Sequence, residues 1–215
     1  SYAFLGQFRN AQGKINLKTI SKLCCRTNSA AALQLRKSVI AGVQASGKNL
    51  SGLSVKGLSL PGGTFNGARL ANLNARGATF DGGRFVNANL SAANLIGASL
   101  KGGDFTGANL SNVKAQQANF SGANLQSAQM IGSTMQGADV SNANLSNSNL
   151  AGASLQGADL SNSNLAGAQL QNADLSGANV SNASVTGANF ENTTMPDGSK
   201  CSGTACASAV SSAGG

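Results

Sequence analysis

Residues 157 to 175 read Gly157-Ala158-Asp159-Leu160, Ser161-Asn162-Ser163-Asn164-Leu165, Ala166-Gly167-Ala168-Gln169-Leu170, Gln171-Asn172-Ala173-Asp174-Leu175. A large aliphatic residue returns every fifth position. Two places before it stands a small residue, and between the two a polar one, here Asp, Asn or Gln. Working outward, the phase holds without a break from Leu50 to Met195, and every centre in that span is Leu, Phe, Val, Met or Ala. The position two before the centre is mostly Ala, otherwise Gly, Ser, Leu, Val or Thr, with Lys48 the exception at the first turn.

An α-helix cannot use this pattern, because at about 100° per residue successive centres would point about 140° apart and no apolar stripe would form. The triplet small–polar–large instead reads as a three-residue strand with side chains in, out and in. The two residues between triplets, such as Ser-Gly or Ser-Asn, suit a corner. Strands this short are not stable alone and must stack on equivalents in neighbouring coils.

Units such as Ala108-Asn109-Leu110-Ser111 and Gly157-Ala158-Asp159-Leu160 resemble the pentapeptide-repeat protein family, and the resemblance covers about 150 of the 215 residues. It implies an all-β solenoid, a right-handed quadrilateral β-helix in which four pentapeptides make one coil of 20 residues. Some seven coils would stack into a shaft of roughly 35 Å at ~4.8 Å per strand. Wrapped at 20, the sequence aligns Phe65, Phe85, Phe105, Leu125, Leu145, Leu165 and Val185 in one inner column, and Leu60, Phe80, Leu100 and Phe120 in another. Outside, Gln116, Gln136 and Gln156 fall in one column and Ser121, Ser141, Ser161 and Ser181 in a second, read as ladders bonding coil to coil.

Three regions follow: an N-terminal extension and helical cap over 1–46, the β-helix over 47–196, and a C-terminal turn and flexible tail over 197–215. A solenoid needs covered ends. Thr27, Asn28 or Ser29 is read as the cap of a helix from about Ala30 to Gln44, with Leu35, Val39 and Val43 on one face. Ile15, Leu17, Ile20 and Leu23 suggest a second short apolar element before it, and Met195-Pro196-Asp197-Gly198 breaks the phase with a turn.

The composition narrows the function. The chain has no His and no Trp, and only 10% of it is charged. Without His there is no Ser–His or Cys–His nucleophile system and no imidazole metal site. No catalytic constellation is expected, and no cofactor. Asp139 and Asp159 stack one coil apart and read as variants of the outward Asp/Asn position. Of the four Cys, Cys201 and Cys206 are the candidate disulfide, with free thiols the open alternative; Cys24 and Cys25 are adjacent. No run of 18 apolar residues occurs, and Ser1 to Phe8 do not read as a secretory leader.

Charge is unevenly placed. The chain carries +8 overall, yet residues 1 to 76 hold eleven Lys or Arg and no acid, leaving four basic and seven acidic residues beyond. Lys56 and Arg76 share an outward column, and with Arg69, Arg84 and Lys101 they form a candidate basic patch for an acidic protein partner, set against simple solubilisation. The leading expectation is a non-enzymatic structural, linker or scaffold protein that docks on a larger, multi-subunit assembly. The family's abundance in cyanobacteria and plastids, the thylakoid lumen included, implies a photosynthetic setting. Two alternatives stand behind it. Some family members mimic DNA and act on gyrase, which the basic charge disfavours. A nucleic-acid-binding module is disfavoured too, since the Phe residues of the repeats are committed to the core rather than to base stacking.

Overall fold

The computed structural model describes residues 17–18, 41–201 and 206. From Ala41 to Met195 the chain repeats one five-residue step, a two-residue corner followed by a short extended segment. Every extended segment pairs in parallel with the segment 20 residues later, in an unbroken series from Gln44–Thr64 to Asp174–Thr194. Four steps therefore close one circuit, and the product is a four-sided β-helix. The sides are numbered here by their central residues: side one carries Phe65, Phe85 and Phe105; side two Leu70, Leu90 and Leu110; side three Ala75, Leu95 and Ala115; side four Phe80, Leu100 and Phe120.

The corner explains the spacing. The residue after each centre leads into one at φ of 55–68°, and in nearly every unit a hydrogen bond runs back across the corner, as from Ala108 N–H to the Phe105 carbonyl. That is the geometry of a type II turn, whose third residue favours Gly or Asn. At the second corner position from residue 42 to 192, Gly or Asn stands everywhere except Ala92, Gln117 and Ser127.

Backbone donors are accounted for residue by residue, as burial requires. In the unit 106–110, Gly107 donates to Gln126 O, Ala108 to Phe105 O, Asn109 to Ala88 O and Leu110 to Gln129 O. The fifth, Thr106 N–H, has no carbonyl in reach and donates to Asp104 Oδ1 at 3.2 Å. The same bond recurs from Ser91 to Asn89, Ser121 to Asn119 and Ser161 to Asp159. The outward Asn or Asp is therefore the corner's side-chain acceptor, an Asx-turn.

Inside, the large residues fill the tube. Phe65, Phe85 and Phe105 stack with centroids 4.8 and 4.7 Å apart, and Phe80 meets Phe65 and Phe85 edge-on. The stack needs room. Gly63, Gly83 and Gly103 precede those three rings, and a Cβ on any of them would come within 2.5–2.8 Å of the ring. Where the column turns to Leu125 and Leu145, the preceding residues become Ala123 and Ala143.

Three readings of the sequence need correction. The helix expected to reach Gln44 does not: residues 41–45 form a further repeat unit, with Gly42 at φ 67°, Val43 and Ala45 buried and Gln44 paired to Thr64. The boundary at residue 46 thus moves into the preceding segment. Residues 30–40, the rest of that expected helix, lie outside the described residues, as do Ile15, Ile20, Leu23, Cys24 and Cys25. The glutamine column is not a ladder of like amides, because Gln136 donates to Ser154 and Gln156 to Asp174. Nor do the serines bond coil to coil: Ser121 and Ser141 turn their hydroxyls to Asn119 and Asp139 of their own coil. Coil-to-coil amide bonds belong to the outward column, as from Asn144 to Asn124 and from Asn119 to Asp139.

Both ends are closed in part by described residues. Leu17, helical and 6% exposed, joins the core beside Leu50, Leu53, Val55 and Leu73 at the N-terminal mouth. At the other end the chain reverses at Asp197-Gly198, and Lys200 pairs antiparallel with Thr194. Cys201 is buried in the core and joined to Cys206 by a disulfide, with Cα atoms 5.7 Å apart.

Candidate partner-binding surfaces

A five-residue step on a 20-residue circuit fixes where each candidate cation stands. Lys56 and Arg76 occupy the corner between sides three and four, one coil apart. Arg69 stands mid-way across side two, Arg84 mid-way across side one, and Lys101 at the corner between sides four and one. All five are exposed. They share the first coils but not a side, so they encircle the shaft as a collar. Only Lys56 and Arg76 form a contiguous pair.

The collar belongs to a larger asymmetry. Between 41 and 101 the shaft carries Lys48, Lys56, Arg69, Arg76, Arg84 and Lys101 against Asp81, or +5; from 102 to 201 it carries Lys114 and Lys200 against Asp104, Asp139, Asp159, Asp174, Glu191 and Asp197, or −4. The two ends of the shaft therefore carry opposite charge. A field of this kind steers an approaching charged partner to one end and weakens with salt.

Side two differs from the others, and the sequence reading did not single it out. Beyond Arg69 its outward column runs Asn89, Asn109, Gln129, Asn149, Gln169, Asn189 without a charge. Toward its C-terminal end a concavity of about 440 Å³ opens, lined by Asn149, Ala151, Gln169, Gln171, Asn172, Glu191 and Asn192. It arises because the corner at Ala151-Gly152 is short in side chain while the next two corners carry Gln171 and Glu191. Gln171 donates to Gln169 Oε1 at 2.8 Å, and its own Oε1 is buried without a partner.

The family model for pentapeptide repeats matches in overlapping stretches, residues 76–112, 104–147, 143–182 and 153–192, together more than half of the chain. The chain belongs to the pentapeptide-repeat family. Its fold is accordingly the right-handed quadrilateral β-helix. No curated protein sequence matches it. Among solved structures, it is similar to HetL, a pentapeptide repeat protein involved in heterocyst differentiation regulation from the cyanobacterium Nostoc sp. strain PCC 7120, at 23% identity over 82% of this chain and 100% of that one, TM-score 0.42. It is similar to a trypsin-treated variant of QnrB1, a plasmid-mediated fluoroquinolone resistance protein, at 21% identity over 71% of this chain and 82% of that one, TM-score 0.41. A third, AT2G44920 from the Arabidopsis thaliana thylakoid lumen, is 33% identical over 46% of this chain and 67% of that one, TM-score 0.38. With TM-scores below 0.5, these likenesses add nothing to the family assignment.

In this pentapeptide-repeat protein Asp139 and Asp159 are used structurally. Asp139 accepts the Asn119 amide and the Ser141 N–H and hydroxyl, while Asp159 accepts the Asn179 amide and the Ser161 N–H. Both are occupied by the repeat's own donors. Near the C-terminal end, hydrogen bonds from Ser176, then Gln156 and the charge of Lys200 hold the Asp174 carboxyl below its ordinary value. Asp197 is lowered by Ser199. Among the described residues no group of three or more His, Cys, Asp or Glu could hold a metal, and no helix is long and apolar enough to cross a membrane.

Proposed function

We propose that this pentapeptide-repeat protein is a non-enzymatic structural or linker component that docks on a larger assembly, with its cationic N-terminal end against an acidic protein. The opposite charge of the two halves of the shaft carries the reading. Three of the five collar residues are Arg, whose planar fork pairs with carboxylates at two points. The family resemblance favours a photosynthetic assembly as the setting.

The contiguous pair supplies the test. The doubly reversed protein, Lys56→Glu with Arg76→Glu, is expected to capture partner subunits from a native extract several-fold more weakly while its circular dichroism stays unchanged, since both side chains are exposed corner residues. Undiminished capture with the fold intact removes the collar from the account.

DNA mimicry is less favoured. It calls for a continuous acidic side, and the longest run of acids in one column is the pair Asp139 and Asp159. A gyrase supercoiling assay without effect would close that reading. Direct binding of single-stranded nucleic acid would want exposed aromatics beside the cations, and the shaft's Phe residues are buried. Failure to retain DNA or RNA at low ionic strength would exclude it.

A further inference from the structure

Sides one and four use their outward amides on themselves. Asn124 donates to Thr106, Asn144 to Asn124 and Asn164 to Asn144 on side one; Asn119 donates to Asp139 and Asn179 to Asp159 on side four. Side two does not. The Oδ1 atoms of Asn89, Asn109, Asn149 and Asn189 accept corner N–H groups, but their amide nitrogens donate to no described residue, and Gln129 makes no side-chain bond to one. The result is an uncharged row of hydrogen-bond donors at Asn89, Asn109, Gln129, Asn149 and Asn189, interrupted at Gln169, on coils spaced by ~4.8 Å. It runs into the amide-lined groove over Ala151, beside the exposed Glu191 carboxylate.

We propose that side two, from Asn89 to the groove at Gln171 and Glu191, is a binding face for a neutral linear polysaccharide. The row offers donors without charge, which suits hydroxyl and ring oxygens and gives no advantage to an anionic polymer. The coil spacing is close to the length of one pyranose unit, so successive coils meet successive sugars. In the groove, the exposed Glu191 carboxylate accepts hydroxyl hydrogens, and the Ala151 methyl leaves space for a ring. With no aromatic platform on the side, each sugar binds weakly, and affinity grows with the number of coils engaged. A second copy of the chain is the competing occupant of a flat amide face. The groove argues against it, because two such faces laid together leave that concavity unfilled. The face begins one coil beyond Arg69 of the cationic end and stands whether or not that end docks.

Titration calorimetry with cello-oligosaccharides of increasing length, and with soluble mixed-linkage β-glucan, tests the proposal on the whole chain. Saturable binding that strengthens with length is expected. The triple variant Asn89→Asp, Asn109→Asp and Asn149→Asp keeps every corner acceptor, as Asp104 and Asp159 do naturally, and removes the donors; it is expected to bind about tenfold more weakly or worse. Ala151→Arg fills the groove at a corner position where Arg76 is already tolerated, and is expected to weaken binding likewise. Asn74→Asp with Asn94→Asp on side three adds charge away from the face and is expected to change nothing. Absence of heat at every length overturns the proposal, as does binding that both side-two variants leave intact. A dimer in sedimentation that the triple variant dissociates, without sugar binding, overturns it and assigns the face to a second copy.

Discussion

At the residue scale, the second corner position decides what each unit tolerates. Ala92, Gln117 and Ser127 hold φ of 56–57° without the freedom of Gly or the local hydrogen bonding of Asn. Left-handed backbone costs such residues about 1–2 kcal/mol, part of which Gly loses to its unfolded-state entropy. Ala92→Gly is therefore expected to stabilise the protein by roughly 0.5–1 kcal/mol, read as a higher denaturant midpoint. The mirror change, Gly122→Ala, meets no atom within 4 Å at φ 65° and so isolates the strain; it should lower the midpoint by a similar amount. A second residue-scale effect lies inside the tube. Ser148 is fully buried and its hydroxyl has no partner, so Ser148→Ala is expected to stabilise by about 1 kcal/mol. A lower midpoint for either Ala92→Gly or Ser148→Ala would count against this view of the unit.

At the scale of the element, the inner column of side one couples two positions that the sequence shows only as separate small and large residues. Gly103→Ala places a methyl 2.7 Å from Phe105 Cε2 and 3.1 Å from the Leu100 carbonyl, an overpacking expected to cost about 1–3 kcal/mol. Phe105→Leu alone leaves a cavity. Together they recreate the Ala123–Leu125 pair of the next coil, so the double variant should cost clearly less than the sum, and strict additivity would refute the coupling. The C-terminal hairpin supplies a prediction on pH. Asp174 and Asp197 have folded pKa values below the ordinary 3.8, so their contribution is complete above that value and is lost as pH falls through the folded ones. Amide exchange at Ser176 and Ser199 should be flat above about pH 5 and quicken, relative to mid-shaft corners, below about pH 4; equal behaviour at both places would contradict it.

How much could be read from the sequence differs by element. The five-residue period from Leu50 onward was legible because every centre is apolar, while the 20-residue circuit came from the resemblance to the family and not from the period itself. Residues 41–45 were not, since Val39 and Val43 fit a helical spacing and Ala45 is a weak centre; only pairing with Thr64 reveals the unit. Asn and Asp between strand residues were visible as a column, but their role as corner acceptors depends on which N–H lacks a carbonyl, and that requires coordinates. The groove was hidden for a similar reason, as it comes from the short corner at Ala151 beside longer ones rather than from any motif.

At the scale of the whole molecule, a rigid four-sided shaft presents two different kinds of surface. The cations gather at one end around the shaft, while beyond Arg69 the outward column of side two holds uncharged amides alone. Docking through the cationic end should weaken as salt rises from low to physiological strength, because exposed charges are screened over about 10 Å at 0.1 M. Binding along side two should be nearly insensitive to the same change. Both expectations depend on residues 20 apart being neighbours. The most direct measurement is the distance between nitroxide labels introduced as Arg76→Cys and Ser176→Cys, with Cys24 and Cys25 replaced by Ser. The two sites share a corner column five coils apart, which gives a single narrow distance near ~24 Å, whereas a separation of about 32 Å, as for a 15-residue circuit, or a broad distribution would contradict the account.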